Sequence, residues 1–128
     1  MKLLIDTHSF LWFVNNAPQL SQTAIDLISD ANNQVCLSVA SVWEMAIKTS
    51  TGKLALAQPV DIFVPDQLQR NDLSLLPIDL PHTLRVASLP FHHKDPFDRL
   101  LIAQSLVEAL PIISVDSIFD LYGVVRLW

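Results

Sequence analysis

Short apolar runs alternate with segments of helical period along the chain. Lys2–Asp6 (KLLID) predicts a buried strand, and Thr7–Asn16 predicts a helix broken before Pro18. Ser21 is placed to cap a helix that reaches about Asp30. Gln34–Ser38 (QVCLS) predicts a second strand. From Val39 to Ser50 the apolar residues Val39, Val42, Trp43, Ala46 and Ile47 fall at i, i+3, i+4, i+7 and i+8, one face of an amphipathic helix. Gly52 is suited to stop it. Residues 60–71 are ambiguous, because Pro65 breaks or kinks a helix. Leu73–Ile78 predicts a strand and Pro81–Ser88 a helix. Pro96–Glu108 predicts an almost wholly apolar helix, Ile112–Val115 a strand, Ser117–Leu121 a short helix and Val124–Leu127 a closing strand. Such alternation argues for an α/β protein with a parallel sheet covered by helices on both faces. Phe10, Trp12, Phe13 and Trp43 are expected in the core.

Composition narrows the function classes. A chain of 128 residues, 51% hydrophobic, is expected to form a single domain over residues 1–128 with a sizeable core. With only two glycines, Gly52 and Gly123, no Gly-rich phosphate loop is available. Cys36 is the only cysteine, which excludes an internal disulfide and fits a reducing, cytoplasmic setting. Asp6 and His8 interrupt the first apolar run, against a secretory signal. No stretch approaches the roughly 18 apolar residues of a membrane span, so no membrane association is expected. A net charge of −5 argues against a general electrostatic nucleic-acid binder. It leaves room for an enzyme that holds nucleic acid through bound metal ions.

In a parallel sheet, strand ends and the starts of the neighbouring helices share one edge, where ligands bind. Four acids fall at that edge. Asp6 ends the first strand, Asp116 follows the strand at 112–115, and Asp98 lies in the first turn of the helix leading into that strand. Glu44 sits about 7.5 Å along the helix after the second strand, beside the apolar stripe and on the same flank as Ala40, so it can point inward and upward. Close carboxylates repel one another and persist with cations. Oxygen-only ligands suit Mg²⁺ or Mn²⁺ rather than zinc, and phosphodiester hydrolysis by an activated water is the natural chemistry. Each acid also has an ordinary reading: Asp6 a turn residue, Glu44 a solvated helix acid, Asp116 a cap for the helix at 117–121. Asp95, followed by Pro96 at the first helical position, is expected to cap its helix, with Asp98 then favoured by the helix dipole even without metal.

The blocks LLIDTHSFLW (3–12), LSVASVWEMAIKTSTGKL (37–54), LPFHHKDPFDRLLIAQSL (89–106) and IISVDSIFDLYGVVRLW (112–128) together resemble the PIN-domain nucleases, most closely the toxins of VapBC-type toxin–antitoxin pairs. The resemblance implies a three-layer α/β/α sandwich around a parallel sheet of about four to five strands. It also implies a Mg²⁺- or Mn²⁺-dependent endoribonuclease. The family's acidic quartet carries over to Asp6, Glu44, Asp98 and Asp116. Asp6 and Asp98 are then the most dependable metal ligands, Asp116 acts directly or through water, and Glu44 positions a water or a second ion. Ser114 supplies the hydroxyl residue two before the last acid. His8 stands where many members carry Asn, and its role is left open. A small antitoxin protein and a homodimer are implied as partners.

Other polar residues are secondary candidates. Thr7 and Ser38, at strand ends, could bond a metal-held water or a phosphate, or simply cap helices. Arg99 could contact RNA phosphate or a neighbouring carboxylate. His92, His93 and Lys94 form the only compact basic stretch and could guide RNA. Two other classes compete with the nuclease: a PIN-fold binding module with weak or no catalysis, and a metal-dependent phosphoryl-transfer or signalling domain. The second wants an acidic pair at the first strand, and Asp6 is followed by Thr7 and His8.

Overall fold

The sheet grows outward from β1 (Lys2–Ile5), whose apolar residues are buried on both faces. In the computed structural model, which describes residues 1–128, β1 pairs in parallel with β2 (Gln34–Ser38) on one side and with β4 (Ile112–Ile113) on the other. β3 (Ser74–Leu76) and β5 (Arg126–Leu127) extend the two edges, so the order is β3-β2-β1-β4-β5, all parallel. Six α-helices connect them: α1 (Thr7–Val14), α2 (Gln22–Ser29), α3 (Val39–Ser50), α4 (Val60–Arg70), α5 (Leu80–Val86) and α6 (Pro96–Glu108). A 3₁₀ helix, Ser117–Tyr122, follows β4. Two separate cores give the layers. One gathers Leu3, Ile5, Phe10, Met45 and Phe63 on one face of the sheet. The other gathers Leu4, Cys36, Leu101, Ile102 and Phe119 on the opposite face. Successive β1 residues alternate between them, as the two-residue side-chain period of a strand requires. The three-layer α/β/α expectation with five parallel strands holds.

One ambiguous segment is resolved and one expectation needs correction. α4 continues through Pro65. The proline forfeits one backbone hydrogen bond, and burial of Phe63 and Val64 in the first core holds the helix together. On α3 the apolar stripe is only half covered: Val39, Val42 and Ala46 are half-buried, while Trp43 and Ile47 are exposed. The buried residues are Ala40, Ser41, Glu44 and Met45, while Trp43 is 56% exposed. The helix turns a partly polar face to the protein because that face lines the strand ends.

The chain leaves α6 for β4 through Ala109, whose φ of 52° is left-handed. The Leu110 N–H closes that turn on the Ser105 carbonyl at 3.0 Å. A side chain is disfavoured there and glycine is not. Ala109→Gly is expected to stabilise the fold by about 0.5–1 kcal/mol, read as a higher melting temperature.

Candidate active site

Each cleft aspartate is placed by a short backbone device. Asp6 leaves β1 and caps α1, its Oδ1 accepting the Ser9 N–H at 2.8 Å. Its own N–H donates to the Ile113 carbonyl at 3.1 Å, which fixes it beside the end of β4. Asp116 repeats the arrangement one strand over: it follows β4 and accepts the Ile118 N–H at 3.0 Å. The buried Ser114 hydroxyl accepts the Asp116 N–H at 3.1 Å, so Ser114 sets the acid's backbone. In both aspartates the cap occupies one carboxylate oxygen and leaves the other for the cleft. Asp95 caps α6 through the N–H groups of Phe97 and Asp98, at 2.9 and 3.1 Å. That cap sets the first turn from which Asp98 projects. Replacing Asp95 with alanine is expected to cost about 1 kcal/mol of stability, read by thermal unfolding.

Asp6, Asp98 and Asp116 line one cleft of ≈ 410 Å³ with His8, Trp12, Val115 and Phe119. The electrostatics agree with the convergence. Asp98 is pushed up from 3.8 to about 7, first by burial and then by the charges of Asp95, Asp6, Glu44 and Asp116. Residues far apart in sequence thus act on one carboxyl. The Asp98 carboxylate takes no hydrogen bond within bonding distance, and its nearest cation-forming neighbour is His93 Nε2 at 3.8 Å.

Glu44 does not line this cleft, although its charge acts on Asp98. Its side chain is 4% exposed, and Oε2 takes the Lys48 ammonium at 2.6 Å, one helical turn on. Thr7 Oγ1 lies 2.8 Å from both Glu44 Oε1 and Ser41 Oγ. One hydroxyl proton cannot serve both. The carboxylate only accepts, so Thr7 donates to Glu44 and takes the proton of Ser41. Lys48 is held above the usual lysine value, first by its bond to Glu44 and also by the charges of Asp95 and Asp98. Both Glu44 oxygens are therefore engaged, and Lys48, Ser41 and Thr7 form its support.

Several secondary candidates lie elsewhere than the cleft. Thr7 serves Glu44. Ser38 caps α3 through the Ala40 N–H and donates to the buried Gln104. Arg99 reaches no carboxylate and offers nothing to a solvent-borne phosphate. Its buried guanidinium lies 4.1 Å over the Phe91 ring and donates to the Pro90 and Leu89 carbonyls, at 2.8 and 3.3 Å, pinning the loop before α6. His93 is not a free basic residue of the rim; its ring packs on Phe119 and Tyr122. His92 and Lys94 remain exposed. His8, with no role assigned from sequence, is exposed at the cleft with its ring 6.0 Å from Trp12.

Three supporting neighbours are not singled out by the sequence: Ser41 and Lys48, which bond Thr7 and Glu44, and Tyr122, which bonds His93. Lys48 had a usable signal, a Glu–Lys pair at i,i+4 on one helix. Ser41 and Tyr122 carried none.

Asp79, His82 and Glu108 place one ligand atom each within 4.8 Å of the others, a tighter grouping than the cleft acids make. That trio is structural. His82 Nδ1 accepts the Asp79 N–H at 3.0 Å and Nε2 meets Glu108 Oε1 at 2.8 Å, so both ring nitrogens are used in joining α5 to α6. It lies at the far end of α6, about 15 Å from Asp98 along the axis. The cleft acids, by contrast, are free on one side and repel one another. An all-oxygen donor set with no internal cation on Asp6, Asp98 or Asp116 fits a hard divalent ion.

The family model described as PIN domain matches residues 3–124. Ribonuclease VapC16 of Mycobacterium tuberculosis is 37% identical over 70 residues, 52% of this chain. The match spans 50% of that protein's length. Among solved structures, VapBC2 from Rickettsia felis, bound to a DNA fragment from its promoter, superposes with a TM-score of 0.76 at 15% identity over 100% of this chain and 99% of that chain. DNA-bound VapBC from Salmonella typhimurium gives 0.71 at 15% identity over 100% and 97%. At such identities the two structures speak for the fold.

Proposed function

The chain belongs to the PIN domain family, and from that premise we propose that it is a divalent-metal-dependent endoribonuclease, the toxin of a toxin–antitoxin pair. The observation that carries the reading is the cleft itself, with three aspartates from separate elements around one space and their charges pressing on Asp98. The relative named as a ribonuclease supports RNA as the substrate. A Mg²⁺ or Mn²⁺ ion held by Asp6, Asp98 and Asp116 would supply Lewis acidity toward a phosphoryl oxygen and toward the attacking water. The chain's own residues do the rest. The caps on Asp6 and Asp116 hold those carboxylates in place before substrate arrives. Glu44, clamped by Thr7 and Lys48, adds its charge to the aspartates from beside the cleft. Trp12 and His8 at the lip offer ring faces on which an RNA base can stack. Hydrolysis by water leaves a 5′-phosphate and a 3′-hydroxyl, and no protein nucleophile is needed; Cys36 is buried in β2, its thiol pushed up by burial.

The partner side of the reading rests on apolar surface. α3 and α4 form a groove of ≈ 380 Å³ that Val39, Val42, Val64 and Leu75 help to line. An amphipathic helix of an antitoxin fits such a groove, and a basic residue on it would suit the acidic cleft and the net charge of −5. Leu80 and Leu84, exposed on α5, suit a homodimer. No helix is long and apolar enough to cross a membrane, and the unpaired Cys36 suits action in the cytoplasm.

Sequencing RNA ends after brief induction tests the reading. Wild type is expected to generate new 5′-phosphate ends that Asp98→Ala does not. Identical end profiles from the two proteins would remove the nuclease assignment.

A further inference from the structure

The Tyr122 hydroxyl oxygen accepts the backbone N–H groups of His92 and His93, each at 3.1 Å, and faces Arg99 Nη1 at 3.4 Å. A phenol oxygen has two lone pairs, and the two backbone N–H groups occupy them, with the longer Arg99 contact sharing the same side. Its own proton is therefore the one shared with His93 Nδ1 at 2.7 Å. That selects the tautomer: Nδ1 accepts and Nε2 carries the hydrogen. Nε2 is buried and has no hydrogen-bond partner. It lies 3.8 Å from Asp98 Oδ2.

Asp98 needs a donor. Asp6 and Asp116 each receive a backbone N–H from the helix they cap, while Asp98 receives none. A carboxylate with no second contact turns freely about its side-chain bonds and loses that freedom on taking up an ion. Resting on the metal-dependent reading above, the geometry points to His93 as a positioning residue, held by Tyr122 with its Nε2–H aimed at one oxygen of Asp98 while the other takes the cation. The 3.8 Å gap closes to a hydrogen bond with a shift of about 1 Å in the Asp98 side chain. His93 cannot easily move to meet it, because Phe119 meets its ring edge-on at 6.0 Å and Tyr122 lies against it. The ring and its clamp thus account for the second histidine of HHKDPFDR, which has no direct place in RNA cleavage.

Two measurements test the role. Long-range ¹⁵N–¹H correlation spectra of the wild-type protein read the His93 tautomer. The Nε2–H form is expected, with that proton shifting when Mg²⁺ is added; the Nδ1–H form overturns the proposal. Calorimetric titration with Mg²⁺ is expected to show about 10- to 100-fold weaker binding for His93→Leu, the usual effect of losing a residue that orients a metal ligand. His93→Gln, whose side-chain amide reaches the same point, should recover most of that loss. Leucine binding as tightly as wild type, or glutamine binding as weakly as leucine, overturns the proposal and leaves the nuclease reading standing. Wild-type protein that takes up no Mg²⁺ removes both.

Discussion

Asp98→Asn is expected to abolish RNA cleavage and at the same time to stabilise the metal-free protein. The two effects have one cause. At neutral pH the Asp98 carboxylate is partly buried among Asp95, Asp6, Glu44 and Asp116, and ionising it there is costly enough to raise it to about 7. The amide keeps the shape and removes the charge. About a quarter of the side chain is open to water, so screening reduces the benefit to about 1–2 kcal/mol. That corresponds to a melting temperature higher by roughly 3–8 °C in a domain of this size. On the proposed reading the same change also removes a metal ligand, and a loss of about 10³-fold or more in cleavage is expected where the held ion supplies several kcal/mol to the reaction. Thermal unfolding and a cleavage assay on one protein sample measure both. A variant that is destabilised as well as inactive would place Asp98 in the framework rather than in the site.

The second large effect is a pH- and Mg²⁺-dependent stability. Asp98 has a folded-state value near 7 against an unfolded value near 3.8. Between these values the folded protein holds a proton that the unfolded chain has released, so this group's contribution to stability is complete below about pH 4 and is lost as pH rises through 7. Metal-free protein is therefore expected to melt at progressively lower temperature from pH 5 to pH 8. On the proposed reading Mg²⁺ binds the ionised cleft and not the unfolded chain, and it is expected to reverse the trend. At a hundred times its dissociation constant an ion adds about 2.7 kcal/mol. Melting curves at pH 5 and pH 8, with and without Mg²⁺, read this directly. The ion should matter at pH 8 and little at pH 5. An equal shift at both values would mean that it binds away from Asp98.

The parts legible in the sequence were those with local chemistry. Asp95 before Pro96, Ser21 before α2 and Asp116 after β4 each cap as their neighbours require. The strands were legible because short apolar runs bounded by polar residues leave few alternatives, and the parallel order followed from their alternation with helices. The convergence of Asp6, Asp98 and Asp116 was also readable, since the sheet sends strand ends and helix starts to one edge. What depended on a distant partner was not. The exposure of Trp43 was not legible: by period alone it looks buried, but the inward surface of α3 carries Ser41 and Glu44, which bond Thr7 across the strand ends. Arg99 beside Asp98 invites an ion pair, yet loop carbonyls and Phe91 claim it. His93 looks like part of a basic rim until Tyr122, 29 residues on, draws it under the 3₁₀ helix.

The difference between Glu44 and the three aspartates has a mechanistic consequence. With both oxygens taken, Glu44 is left on the proposed reading to act through charge and position. A pocket of this kind can hold an ion on the aspartates without recruiting the glutamate.

Cleavage of RNA by the purified protein, titrated with Mg²⁺ and then with EDTA, bears on the central claim most directly. The account predicts cleavage that rises with Mg²⁺, leaves 5′-phosphate ends, stops with EDTA and is absent from Asp6→Ala and Asp98→Ala proteins. Cleavage that persists in EDTA, or in the protein carrying both substitutions, would contradict it.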